Sequence, residues 1–179
     1  VGRLGREVRL MGQHNGHQPV RVFLYDVLMQ FAKVAHLRGD LSFAERCQRE
    51  AADLRQNIDQ HGWDGEWYRR AYFDDGLPLG SKQNEECKID SIAQSWSVLS
   101  QAGEPKRSLM AMESAGKYLI RKEDGLIQLF DPPFDKSDMN PGYIKGYVPG
   151  VRENGGQYTH AAIWLVMAWV SVAAGPPVA

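Results

Sequence analysis

The chain has 179 residues, of which 43% are hydrophobic and 24% charged, enough to build one ordinary domain with a core and too apolar for a disordered segment. Its formal net charge is −1 and its pI about 6.6, so there is no electrostatic footprint for nucleic acid or an anionic membrane surface. Cys47 and Cys87 lie far apart at no metal-ligand spacing and read as two free or buried thiols, with a disulfide as the lesser alternative.

Residues 1–21 are rich in Gly, Arg, Gln and His and carry no apolar period, so they read as a poorly ordered arm. Arg3, Arg6 and Arg9 are not followed by an apolar run, so a signal peptide is not expected. His14 and His17 have no acidic or Cys partner nearby, and a metal site there is not expected.

From Val22 the pattern turns helical, with Phe23, Val27, Phe31, Val34 and Leu37 on one stripe that Leu24, Leu28 and Ala35 widen. Gly39 ends this helix. Asp40 is placed to cap a second one running to about His61, with Leu41, Ala44, Ala51, Leu54 and Ile58 facing inward. The two form an αα-hairpin.

Trp63 to Gly80 mixes aromatic and acidic residues, with a short strand at Arg69 to Phe73 and a turn at Asp74-Asp75-Gly76. Trp67 reads as a packing residue, while Trp63, Asp64 and Glu66 suit either packing or a sugar subsite. A helix over 89–101 follows, with Ile89, Ile92, Ala93, Trp96 and Leu99 inside; Gln94 reads as structural. Glu104-Pro105 opens a fourth helix over 106–120, and Leu126 to Phe130 suits a short strand that Asp131-Pro132-Pro133 breaks.

Pro141 to His160 is the densest concentration of chemistry in the chain. Gly142, Gly146, Gly150, Gly155 and Gly156 alternate with Tyr143, Tyr147, Tyr158, Lys145, Arg152, Glu153 and His160. Such a loop leaves side chains and amides available. Tyrosine faces beside Arg, Glu, Asn and Gln suit a sugar, and Lys, Arg and His beside glycine amides suit a phosphate. A turn-rich connector is the plain alternative. A last apolar helix begins near Thr159. Ala161 to Ala174 falls short of a membrane span and reads as a buried helix. Elaborated connections alternate with tight ones. That is the layout of an all-α fold with the long loops and short β-hairpin segments on one rim, as in an α/α toroid, and it also fits an irregular all-α bundle.

Four segments carry a resemblance: Gly62-Trp63-Asp64-Gly65-Glu66-Trp67-Tyr68, Asn84 to Trp96, Pro132-Pro133-Phe134-Asp135, and Pro141 to Trp164. In this order they resemble glycoside hydrolase family 94, the family of cellobiose and chitobiose phosphorylases and of the C-terminal region of cyclic β-1,2-glucan synthases, and look nearest to the glucan synthase branch. The resemblance covers about residues 22–169 and leaves 1–21 and 170–179 as divergent ends. It implies part of an (α/α)6 toroid and inverting phosphorolysis of a β-glucoside, with inorganic phosphate as co-substrate and no other cofactor. A β-glucan or β-linked disaccharide would be the partner.

By that resemblance His160 matches a phosphate-contacting histidine, Glu153 an acid that binds the acceptor sugar, and Arg152 the basic residue beside it, with Tyr158 and Tyr143 as ring platforms. The family's general acid lies in an Asp-Trp-Asn-Asp-Gly-like segment upstream of the helix near Val22, and residues 1–21 hold no match, so no catalytic residue is expected in the chain. About five helices do not close a toroid. Exposed apolar faces such as Ala161 to Val170, self-association and lack of phosphorolytic activity are therefore expected. A saccharide-binding remnant without the acid is the second reading. A plain helical domain is a third. A hydrolase using two of Asp131, Asp135, Asp138 and Glu153 is a fourth. The cysteines and the phosphate chemistry point to the cytoplasm, with a membrane tether in a longer parent.

Overall fold

The computed structural model describes residues 18–175, and most of them are helical. His14 and His17, most of the arm expected at 1–21 and the last four residues of the tail expected at 170–179 lie outside the described residues. Gln18 to Arg21 belong to the first helix, which starts four residues before Val22. Val170 to Ala174 complete the last helix.

Helix α1 spans Gln18–Leu37 and α2 spans Leu41–Asn57. Gly39, at φ 77°, closes α1 in a Schellman arrangement: Asp40 N–H donates to Ala35 O at 3.0 Å and Gly39 N–H to His36 O at 3.0 Å. Asp40 then caps α2 by accepting from Phe43 N. A π-helical turn, Ile58–Gly62, extends α2 toward the end expected at His61.

The bulky residues of the α1 stripe are not the buried face of the helix, although Ala35 on its edge is buried. Phe23, Val27, Phe31 and Val34 are about half exposed, while Val22, Tyr25, Ala32 and Ala35 are buried. The small face wins because α2 presents Ala44, Cys47 and Ala51 to it, and close helix approach needs short side chains. Leu41, expected inside, is also exposed.

Strand β1 (Ala71–Tyr72) pairs with β2 (Pro78–Leu79) around the expected Asp74–Gly76 turn. The third helix is shorter than expected because Ile89–Asp90 forms β3, and α3 spans Ser91–Leu99. Asp90 accepts from Ile92 N and Ala93 N and so caps α3. A tight turn leads to α4, Pro105–Leu119, capped by Glu104 with proline in the first turn. Strands β4 (Ile120–Arg121) and β5 (Leu126–Ile127) form a hairpin, and β6 (Phe130–Asp131) pairs antiparallel with β3. A 3-10 turn, Gly142–Gly146, interrupts the glycine loop before α5, Thr159–Ala174.

Helix α3 packs on α1, α4 and α5, and α2 backs α1. The β3–β6 pair ties the long α2–α3 and α4–α5 connections to each other, while the other two junctions are tight. All elaborated loops thus meet at the end where α3 and α5 begin. One core lies between the helices, around Ile58, Tyr68, Met112, Leu119 and Leu165. A second, around Phe130, Phe134 and Ala161, lies beneath the glycine loop. Both cysteines are free and buried, as expected.

Candidate functional site

The glycine loop runs from Pro141 into the first turn of α5 and rests on the second core. Two glycines fix its close approach to the strands. Gly155 has φ 78°, and a Cβ there would meet Phe130 O and Pro133 at 3.0 Å; one on Gly156 would meet Gly150 O at 2.8 Å. Leu129 N–H donates to Gly156 O at 2.8 Å, and Ile127 N–H to Gln157 Oε1 at 2.9 Å. The loop is thereby stitched to the segment holding β5 and β6.

Five expected site residues fall in one neighbourhood. Tyr158 Oη donates to Glu153 Oε1 at 3.3 Å, and Arg152 Nε lies 3.6 Å from Glu153 Oε2. The Arg152 guanidinium sits over the Tyr147 ring at 5.0 Å, and Tyr147 meets Tyr143 edge-on at 6.2 Å. On the other flank Tyr158 contacts the His160 ring at 4.5 Å, and His160 contacts Trp164 at 4.8 Å. His160 and Tyr143 are exposed, Tyr158 is half-buried, and Glu153 retains 19% of its side-chain surface.

Glu153 Oε2 is buried and makes no hydrogen bond, with Arg152 Nε as its ion-pair partner at 3.6 Å. The Glu153 charge, reinforced by its hydrogen bond, pushes the Tyr158 phenol up. Arg152 holds φ 51°, a left-handed conformation that side chains other than glycine rarely adopt and that recurs at functional positions. His160 lies in the first turn of a sixteen-residue helix whose N-cap residue, Tyr158, makes no side-chain cap bond. That helix end favours an anion.

Other expected candidates resolve as structural. Trp67 is buried and donates Nε1–H to Gly80 O and Lys88 O. Trp63 packs edge-on against Tyr68 at 5.1 Å and lies under Arg107. Asp64 is buried, accepting from Ser81 Oγ and Lys82 N and pairing with Arg69 at 2.8 Å. Gln94 is fully buried and brackets the Tyr68 backbone at both N–H and C=O. Asp131 is engaged by Arg121 at 2.9 Å, and Asp135 and Asp138 are exposed.

Three residues of the site carried little sequence signal. Tyr147 reads as one tyrosine among three, Asn154 as one of the loop's polar residues, and Trp164 only as the end of the Pro141 to Trp164 segment. Asn154 is fully buried and joins three parts of the loop. Among the described residues no group of three His, Cys, Asp or Glu is arranged to hold a metal, and no helix is long and apolar enough to cross a membrane.

Residues 12–177 match the family profile of the Glycosyl hydrolase 94 superfamily, catalytic domain. The chain is 49% identical over 149 residues to the cyclic beta-(1,2)-glucan synthase NdvB of Rhizobium meliloti (strain 1021), which covers 83% of this chain and 5% of that protein. It is 32% identical to cellobionic acid phosphorylase of Neurospora crassa over 76% of this chain and 17% of the relative. To N,N'-diacetylchitobiose phosphorylase of Vibrio furnissii it is 30% identical over 82% of this chain and 18% of the relative. The chain thus spans less than a fifth of the length of each of these relatives. With the profile matched along nearly its whole length, the chain belongs to the Glycosyl hydrolase 94 superfamily, within the catalytic domain.

Proposed function

We propose that this chain forms the acceptor-sugar and phosphate side of a catalytic site for inverting phosphorolysis or synthesis of β-linked glucosides, as part of an (α/α)6 toroid. The observation that carries the reading is the convergence of Arg152, Glu153, Tyr158 and His160 at the start of α5 through the Arg152–Glu153 ion pair, the Tyr158–Glu153 hydrogen bond and the Tyr158–His160 ring contact.

Each residue has a role that its chemistry suits. Glu153 accepts hydrogen bonds from sugar hydroxyls at its exposed edge. Tyr158 holds its Oε1, and Arg152 balances its charge. Tyr143 and Tyr147 offer ring faces at the rim. His160, with the first-turn amides of α5, binds phosphate where its oxygen attacks the anomeric carbon. Inversion then gives an α-sugar 1-phosphate, and the leaving oxygen takes its proton from a carboxylic acid. That acid is assigned to none of the described residues: Asp131 is already ion-paired, and Glu153 serves the acceptor. Phosphate is itself the nucleophile, so no carboxylate base is required.

The resemblance to a β-1,2-glucan synthase at 49% identity supports β-1,2-linked glucose as the sugar class. Titration of the chain with inorganic phosphate and with a β-1,2-gluco-oligosaccharide, read by tryptophan fluorescence through Trp164, tests this reading. His160→Ala is expected to weaken phosphate binding about tenfold, and Glu153→Gln to weaken sugar binding by a similar factor. A wild-type chain that responds to neither ligand overturns the reading.

A further inference from the structure

We propose that Asn154 is the positioning residue of this site: its side-chain amide clamps the Phe134 segment to the Tyr147 carbonyl and so presents Arg152, Glu153 and Tyr158 as one unit. The proposal deepens the saccharide reading above and takes the role of Glu153 from it.

The geometry is specific. Phe134 N–H donates to Asn154 Oδ1 at 2.8 Å, and Asn154 Nδ2 donates to Phe134 O at 2.8 Å and to Tyr147 O at 2.8 Å. One carboxamide therefore brackets both backbone groups of Phe134, as a neighbouring strand would, and spends its second N–H on the glycine loop. Phe134 is a fixed reference: it is 1% exposed and packs on Phe130 at 5.2 Å. Tyr147, at the other end of the clamp, carries the ring beneath Arg152. The Asn154 backbone closes the short loop between them, with its N–H on Val151 O at 3.0 Å and its C=O accepting from Gly150 N at 2.8 Å. Glu153 is the residue immediately before this clamp, and Arg152, before it, holds the left-handed backbone.

The chemistry leaves little room for substitution. An aspartate loses both donors. Alanine or leucine leaves two carbonyls and one N–H of a buried segment unpaired. Glutamine places the same amide one methylene too far out to bracket a single residue. A fully buried amide that spends both its donors on backbone carbonyls, at the residue next to Glu153, acts on the direction of its neighbours and not only on the fold.

The Tyr158 phenol reports on this. It faces Glu153, Arg152, Tyr143 and His160, and the Glu153 carboxylate holds its titration up. Its titration, assigned by Tyr158→Phe, would be followed by NMR in the full chain, in Glu153→Gln and in Asn154→Ala. Removing the Glu153 charge sets the full downward displacement. In Asn154→Ala, Tyr158 is expected to fall by at least half of that displacement, and the β-1,2-gluco-oligosaccharide affinity by about tenfold, with phosphate affinity nearly unchanged. A purely structural asparagine lowers the melting temperature and leaves Tyr158 where it was, and that result in a cooperatively folded variant overturns the proposal. If Asn154→Ala does not fold, hydrogen exchange of the Asn154 side-chain amide in the wild type decides. Exchange as slow as that of the Phe134 N–H supports the clamp, and exchange at the rate of free amide overturns it. A wild type that ignores sugar while Asn154→Ala still shifts Tyr158 removes the saccharide reading and keeps the clamp. Sugar binding with an unmoved Tyr158 does the reverse.

Discussion

Glu86 is the carboxylate on which the loop before the site depends. It is 9% exposed and accepts from Lys136 N at 2.8 Å, Ser137 N at 3.0 Å and Ser137 Oγ at 2.5 Å. Burial alone would raise its pKa, but these hydrogen bonds, joined by the Asp135 amide, win and hold it at about 2. Ser137 O in turn accepts from Lys145, which extends the hold into the glycine loop. The folded pKa lies below the unfolded one. The stabilisation is therefore complete above the ordinary carboxylate range, near 4.3, and fades as pH falls toward 2. The shift corresponds to something on the order of 3 kcal/mol at neutral pH. Glu86→Gln turns an acceptor into a donor facing N–H groups. It is expected to lower stability at pH 7 by about 1–3 kcal/mol and to shrink the loss between pH 5 and 2, as read by urea unfolding across that range. An unchanged acid limb would remove Glu86 from this role. At this scale the sequence was partly legible. Asp40 and the packing role of Trp67 follow from local rules of capping and aromatic burial. Glu86 and Asn154 act on backbone fifty and twenty residues away, and no local pattern marks such partners.

Element existence followed from the apolar period, because amphipathic helices repeat at 3.6 whatever they pack against. Element faces did not. Helix α1 carries two apolar stripes of the same period, one bulky at Phe23, Val27, Phe31 and Val34, one small at Val22, Ala32 and Ala35. Side-chain volume favours the first, while the approach of α2 selects the second. The residues of β3 read as the first turn of α3 for a related reason: their pairing with β6 comes from forty residues downstream. Asp90 stands at that junction. It caps α3, sits in β3, and pairs with Arg70 at 2.7 Å, whose guanidinium also lies over Phe130 at 5.4 Å. The Arg70–Asp90 pair is nearly out of solvent, so Asp90→Ala strands a buried cation as well as removing a cap. A cap alone costs about 1 kcal/mol, and breaking a buried pair costs about 3–5. Denaturant unfolding of Asp90→Ala is expected to show the larger loss. A loss near 1 kcal/mol would mean that Arg70 finds solvent or another partner. The neighbouring Cys87, pushed up to about 12 by burial despite Arg70 beside it, is expected to react with thiol reagents at pH 8 no faster than the chain unfolds.

At the scale of the whole molecule the described helices leave two large apolar faces uncovered. On α1, Phe23, Val27, Phe31 and Val34 are each about half exposed, and the face continues through the Phe31–Phe43 ring contact, at 5.9 Å, onto α2. On α5, only Ala161, Leu165 and Ala168 are fully buried, and Ile163, Val166, Met167 and Val170 are about half exposed or more. The reading of α5 as a buried helix is corrected accordingly, and the exposure expected for residues up to Val170 is found. Soluble monomers seldom expose contiguous apolar patches larger than a few hundred Å². The net charge of −1 offers almost no repulsion to oppose contact between copies. The two faces lie on different helices, so association that matches one to the other is heterologous and does not stop at two copies unless the rotation closes. Sedimentation of the isolated chain is therefore expected to show mass rising with concentration, beyond a dimer. One charge on each face, Phe31→Lys with Val166→Lys, is expected to return it to a monomer, because a lysine on either face must lose its hydration in any face-to-face contact. Each single variant is expected to stop growth at a small oligomer, since one face then remains available only to its own kind. A wild-type chain that sediments as a monomer at all concentrations would show that water alone is an adequate partner for both faces.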